Sequence, residues 1–245
     1  TGGLARSAGA TVCSVPVAVK APDLCIGNPT VPGHGCKIQR ETDYRFAGVS
    51  PLSFQRYYSS QSPYHARSGA QSSLGSRWRH NHDVRLNPAA APNRVLLLRG
   101  DGQILHFHPK PGSGNEWVSD ADVVGQLQQT AGGWTWRDAD DALESFDTAG
   151  RRLRRIERGG LSLSYSYLPG SDRLAAIQDN FGRRLALNYN ARNLLAEVIT
   201  PAGDRIGYTY DSDGHLVSVT MPDGHSRHYT YTQVTVDGHL EPALL

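Results

Sequence analysis

The last third of the chain repeats itself with a period of 21 residues, and that period constrains the fold more than any other feature. Leu174, Leu195 and Leu216 fall one period apart, as do Ile177, Val198 and Val219. Gly182, Gly203 and Gly224 follow the same spacing, and so do Tyr189, Tyr210 and Tyr231. Tyr208 pairs with Tyr229 and Pro201 with Pro222. A fixed period of about 20 residues marks a repeat architecture. One such unit cannot bury its apolar side alone, so copies must stack on each other.

Within one unit, residues 201–210 and 211–219 each alternate in character and end in a turn signal. Glycine supplies positive φ at these turns, proline presets φ, and aspartate bonds its own backbone. Between turns, Ile206, Tyr208 and Tyr210 fall on one face of an extended strand, with Gly207 and Thr209 on the other. Strict alternation likewise puts Leu216, Ser218 and Thr220 on one face and Val217 and Val219 on the other. Two strands and two short turns make one β-hairpin per repeat. The pattern extends backward with slippage: Leu153 and Ile156 precede Leu174 and Ile177 by 21 residues, while Gly160 and Tyr167 precede Gly182 and Tyr189 by 22. The residue types therefore predict an all-β chain with about four tandem antiparallel hairpins over 146–231. Residues 95–107 and 132–146 read as hairpins without a measurable period.

Net charge is +2 over 245 residues, which argues against a nucleic-acid binder. No run approaches the roughly 18 apolar residues of a membrane span. The first residue is Thr1 rather than Met, which reads as a processed product or a fragment. Three cysteines, Cys13, Cys25 and Cys36, lack metal-site spacing. Cys25 and Cys36 bracket a Gly/Pro-rich turn region and are a candidate disulfide. An intermolecular bond and three reduced thiols are the alternatives.

The run Gly203, Tyr208, Tyr210, Asp211, Gly214, Leu216, Val219, Pro222, Gly224 resembles the YD repeat of Rhs proteins, teneurins and the C components of bacterial ABC toxins. Upstream, Gly27-Asn28-Pro29, Glu41-Thr42-Asp43-Tyr44 and Pro51-Leu52-Ser53-Phe54-Gln55-Arg56-Tyr57-Tyr58 resemble the cap module at the start of Rhs shells. The tract Leu74-Gly75-Ser76-Arg77-Trp78 resembles a Leu-Gly-x-Gly-Trp motif, with Arg77 at the second glycine. The resemblance divides the chain into an N-terminal arm (1–26), a cap region (27–145) and YD-repeat hairpins (146–245). It implies a sheet strip that spirals into a hollow shell around a toxic or effector domain. It also implies a secreted or cell-surface location.

No nucleophile elbow, P-loop, dinucleotide fingerprint or zinc-protease motif occurs. The expectation is therefore a chain with no catalytic residues, no metal and no cofactor. Other residues carry weaker signals. His80/His82 and His106/His108 each share a strand face and are candidate metal chelates, although Leu105 and Phe107 facing inward would leave the second pair in water. Trp134 and Trp136 suit either core packing or a glycan platform. Asp138, Asp140, Asp141 and Glu144 read as solvated turn charges. Arg151-Arg152-Leu153-Arg154-Arg155 reads as a strand edge kept soluble by charge.

The run Thr232–Val236 is β-prone and has no cap after it, so it is expected to be an open edge for a protein partner or a second copy. Residues 11–19 of the arm are a candidate donated strand. Three functions follow: a shell module, an extracellular subunit that polymerises by strand addition, and a glycan-binding adhesin.

Overall fold

The computed structural model describes residues 30–31, 36–60, 72–91, 93–119, 123–236 and 239–244. Cys25, the arm 1–26 and residues 61–71 lie outside the described residues, and so therefore does the proposed Cys25–Cys36 disulfide. The described residues contain no helix.

Four strands, β1 (Thr30–Val31), β2 (Cys36–Arg45), β3 (Ser53–Ser59) and β4 (Trp78–His80), make an antiparallel sheet in chain order. A second sheet of 15 strands also follows chain order. Its first part comprises β5 (Arg85–Ala91), β6 (Arg94–Leu98), β7 (Ile104–Pro109), β8 (Glu116–Val118), β9 (Gly125–Thr130), β10 (Gly133–Asp138), β11 (Leu143–Phe146) and β12 (Arg152–Ile156). This part curls back on itself. Arg85 bridges Arg151, and the Leu86 amide donates to the Gly150 carbonyl at 3.0 Å. A Cβ on Gly150 would meet the Leu86 oxygen at 1.8 Å, and its φ is 82°, so only glycine fits this closure. Eight strands thus close one turn around Leu86, Leu97, Phe107, Leu127, Trp134, Trp136 and Phe146, all buried. An eight-stranded closure leaves an interior that side chains can fill.

The strip then continues as β13 (Ser162–Tyr167), β14 (Leu174–Asp179), β15 (Arg184–Tyr189), β16 (Leu195–Ile199), β17 (Arg205–Tyr210), β18 (Leu216–Thr220) and β19 (Ser226–His228). The hairpins β12–β13, β14–β15, β16–β17 and β18–β19 are the four that the period predicts. Each is joined to the next by a ladder with one bulge, at Tyr167↔Leu174, Tyr189↔Leu195 and Tyr210↔Leu216. Phe146↔Arg152 is the same feature one unit earlier.

The bulge overturns the strict alternation expected for the leucine strand. Leu216 and Val219 are both fully buried, although an odd spacing separates them. The extra residue, Val217, shifts the register so that both reach the core side. Leu195 and Val198 behave identically around Ala196. A Leu-x-x-Val spacing in these strands therefore encodes a bulge.

Each bulged strand also starts with a carbonyl that no ladder reaches. The β14–β15 ladder pairs only Ala176–Gln178 with Arg184–Ala186. Beyond it, the Tyr189 hydroxyl donates to the Leu174 carbonyl at 2.8 Å. Tyr167 donates to Arg152 (2.9 Å), Tyr210 to Leu195 (2.8 Å) and Tyr231 to Leu216 (2.7 Å). The repeat tyrosine thus satisfies the acceptor exposed by the bulge of the partner strand in its hairpin.

One edge expectation is refined. The run Thr232–Val236, β20, does not end the long sheet: it pairs antiparallel with β21 (His239–Leu244) in a separate two-stranded sheet, where its other side remains an edge among the described residues. The terminal strand of the long sheet is β19, three residues long and exposed throughout.

These rungs have a measurable weight. Tyr210→Phe leaves the Leu195 carbonyl without its donor and is expected to cost about 1–3 kcal/mol in urea unfolding. Leu195→Ala, in the core, is expected to cost about 2–5 kcal/mol. Equal and near-zero losses would contradict both roles.

Candidate functional site: the seam between the N-terminal sheet and the repeats

The four-stranded sheet lies on the buried side of the repeat strip. Alternation along β3 turns Phe54, Arg56 and Tyr58 the same way, toward that strip. Phe54 and Tyr58 join Leu52, Leu74 and Trp78 in one core with Ile206, Tyr208, Val219 and Tyr229. Arg56 sits among them, fully buried. Its Nε donates to Asp43 Oδ2 at 2.6 Å, and its Nη2 to Glu41 Oε2 at 2.6 Å and Asp43 Oδ1 at 3.0 Å. The repeats close the network from the other side: Tyr208 donates to Asp43 (2.9 Å), Tyr229 to Glu41 (2.5 Å) and Arg227 to Glu41 (3.0 Å). Two arginines meet two carboxylates, so the charge is balanced, with Arg56 and Asp43 cut off from water and Arg227 at the exposed rim. Burial pushes the Glu41 carboxyl up, but Arg56 and the Tyr229 and Arg227 donors outweigh it and hold the group low. Burial and the Asp43 carboxylate push the Tyr208 phenol well up, so it stays a neutral donor.

A second set of contacts pins residues 72–75 to the strip. The Leu195 amide donates to the Ser73 carbonyl at 2.7 Å. A Cβ on Gly75 would lie 2.0 Å from the Gly214 carbonyl oxygen, with φ at 81°, so this close approach requires glycine. Arg77, at the second glycine position of the resembling motif, adopts φ of 67° and so keeps the backbone that glycine favours.

Beside this strap opens a cleft of about 330 Å³. Among the described residues it holds a constellation that looks catalytic: Ser73 Oγ, His80 and Asp83. Ser73 Oγ lies 3.2 Å from His80 Nε2, and Asp83 Oδ1 lies 2.9 Å from the same atom. His80 Nδ1 accepts the His82 amide at 3.2 Å, so the ring proton is assigned to Nε2, where Asp83 takes it. A Ser-His-Asp triad needs serine and aspartate on opposite ring nitrogens. Here they share one, and Ser73 meets no free base. His82 is buried, and its Nε2 donates to the Ser53 carbonyl at 2.7 Å. Burial, with Arg152 and His80 nearby, holds the His82 ring well below its ordinary range and therefore neutral.

The His80/His82 pair thus serves the seam. His106 is half-buried against Arg94 and His108 is exposed, while Leu105 and Phe107 face inward. Trp134 and Trp136 share a face, and that face is the core, which removes them as a glycan platform. Glu144 is not a solvated turn charge: it is fully buried and binds Arg99 (2.6 Å), Arg155 (2.9 Å) and Arg152 (3.1 Å). Burial raises its carboxyl, but the three guanidinium groups outweigh that and bring it to about 2. The arginine run 151–155 is accordingly an interior strand, with Arg152 buried, and not a solubilising edge.

Asp211, Asp213 and His215 bring ligand atoms within 4.8 Å of one another. The same turn recurs with arginine in place of the histidine. Asp147 pairs with Arg151 and Asp179 with Arg183, each at 2.7 Å, as Asp211 does with His215 at 2.8 Å. His215 therefore closes a turn. The structure places the repeat residues Leu174, Leu195, Leu216, Val198, Val219, Tyr208 and Tyr229 in the seam core, with Tyr189, Tyr210 and Tyr231 packed against it. Pro201, Gly203, Pro222 and Gly224 lie in exposed turns. Glu41, Asp43 and Arg56 carry the seam but were given no role by sequence reasoning. Their signal was a charged residue at an inward position between Phe54 and Tyr58.

Two outcomes test this seam. Arg56→Ala leaves the buried Asp43 without a counterion and Glu41 with Arg227 alone, and is expected to cost about 3–5 kcal/mol, whereas Arg40→Ala, whose side chain bonds Gln55, is expected to cost far less. Acid should also weaken the fold in two stages. His82 is held low, so its contribution is complete above pH 6.5 and is lost as pH falls below that value. Glu144 contributes above pH 4.5 and loses that contribution as pH falls toward about 2. Urea unfolding from pH 7 to 5 should show a slope of up to about 1.4 kcal/mol per pH unit that His82→Asn flattens. An unchanged slope in that variant would contradict the assignment.

Residues 27–107 match a family model described as a domain of unknown function (DUF6531). Residues 189–226 match the RHS repeat model. No curated protein matches the chain. The first match covers β2, β3 and β4 with the Arg56 network, and the second covers the hairpins on which that network closes. The two matches place an RHS repeat behind a distinct N-terminal module, an arrangement consistent with an Rhs/YD-repeat protein.

Proposed function

We propose that this structural repeat protein is a non-catalytic wall segment of an Rhs-like secreted or cell-surface shell that encloses a toxin or effector. The observation that carries the reading is the seam. The polar side chains that look chemical, among them Arg56, Asp43, Glu41, His80 and Asp83, are bonded to one another or to backbone and hold two layers together. The curled start of the strip, closed at Gly150, fits a sheet that begins a spiral. RHS repeat proteins are generally extracellular or on the cell surface, which supports the location. No helix among the described residues is long and apolar enough to cross a membrane. In this reading residues 27–145 are the cap, residues 146–245 are wall, and the repeat leucines, valines and tyrosines are the functional residues because they hold the wall.

A second reading, polymerisation by strand addition, is favoured by one feature. The exposed strand β19 ends the long sheet with β18 as its only neighbour in that sheet. Such an edge accepts a further strand from the same polypeptide or from another copy.

Electron microscopy of the native material separates the two. A hollow particle around a protease-protected partner is expected. Fibres or rings that grow with concentration would replace the shell with the polymer. A solid particle that excludes any partner would overturn the shell.

A further inference from the structure

The repeat places one residue immediately ahead of each bulged strand: Arg151, Arg173, Leu194 and His215. Three of them cover the tyrosine of the following hairpin. The Arg151 guanidinium carbon lies 5.3 Å from the Tyr167 ring centre, and that of Arg173 lies 6.0 Å from Tyr189. The His215 ring lies 5.1 Å from Tyr231. Arg151 and Arg173 are one repeat apart, so their strands are separated by two spacings, about 10 Å. Both line the 330 Å³ cleft, as does Arg85 from β5.

The carboxylates in and around this cleft already have partners. Arg85 holds Asp172 at 2.6 Å, Arg151 holds Asp147 at 2.7 Å, and Asp83 accepts from the His80 ring, the His80 amide and the Ser72 hydroxyl. Arg173 also lines the cleft, yet its guanidinium has no carboxylate partner among the described residues. The tyrosines behind the arginines cannot supply the missing negative charge. Burial pushes the Tyr167 phenol up to about 12, and both hydroxyls are spent on backbone carbonyls.

The geometry points to a binding site for a small carboxylate-bearing molecule in this cleft, with Arg173 as its principal contact and Arg151 beside it. A guanidinium edge matches a planar carboxylate through two parallel hydrogen bonds. Arg173 offers one guanidinium fork without a carboxylate partner, which a singly charged carboxylate fills, whereas a phosphate monoester brings more charge toward Asp83 at neutral pH. The volume is at the lower end of small-ligand sites and suits an acid of a few carbons. The site does not depend on the shell reading.

Titration calorimetry of the chain at pH 7 with acetate, lactate and butyrate tests it, with inorganic phosphate and sodium chloride at matched ionic strength as comparison arms. Saturable binding of at least one carboxylate, without saturation by phosphate or chloride, is expected. Arg173→Gln should weaken that binding by about tenfold or more with the thermal midpoint unchanged. Arg173→Lys keeps the charge without the fork and should fall between the two. Arg184→Gln, at an exposed position beside the buried Leu185, should bind as the parent does. No saturation by any of the three acids, preference for phosphate, or full binding by Arg173→Gln would overturn the assignment.

Discussion

The bulge that opens β12, β14, β16 and β18 is the constraint from which the rest of the fold follows. It inserts one residue, brings a leucine and a valine three positions apart onto one face, and frees a carbonyl. The repeat tyrosine meets that carbonyl from the far end of the same hairpin. Tyrosine suits the task because its ring fills the core side while its hydroxyl reaches a buried acceptor. One device thus supplies apolar burial and polar satisfaction in every unit.

The N-terminal sheet exploits the surface that these rungs create. Its strap accepts the Leu195 amide, and the Trp78 indole donates to the Tyr231 hydroxyl at 2.9 Å. Arg56 then places a charge where burial alone would oppose one. Replacing a whole buried ion network by apolar groups is often neutral or stabilising, whereas breaking one member is strongly destabilising. The network therefore makes the match between the two layers specific: Asp43 and Glu41 accept a sheet that carries Tyr208, Arg227 and Tyr229 at these positions, and a slipped register would leave both carboxylates with Arg56 alone. Glu144, ringed by Arg99, Arg152 and Arg155, applies the same logic where the curled turn meets the first hairpin.

Much of the fold was legible because repetition averages out local ambiguity. The positions of Leu174, Leu195 and Leu216 and of the turn glycines follow directly from the period. The bulge was not legible to strict alternation, which put Leu216 and Val219 on opposite faces; the three-residue spacing was the missed sign. Charge misled in the same way. Glu144 and Arg152 look solvated in sequence, and only strands distant in the chain, such as the one carrying Arg99, bring their partners. Thr232–Val236 looked unpaired because its partner, His239–Leu244, reads weakly as a strand around Pro242. The seam was the least legible part, because Arg56 and Tyr229 are 173 residues apart.

The central claim is that the N-terminal sheet and the repeats form one cooperative core joined at that seam. Native-state hydrogen exchange measures this directly. Amides of β3 and β4 should open with the same free energy as those of β15 to β18, because they share buried side chains and a charge network. Exchange from β3 and β4 at far lower free energy, with the repeats still protected, would show two independent layers and contradict the account.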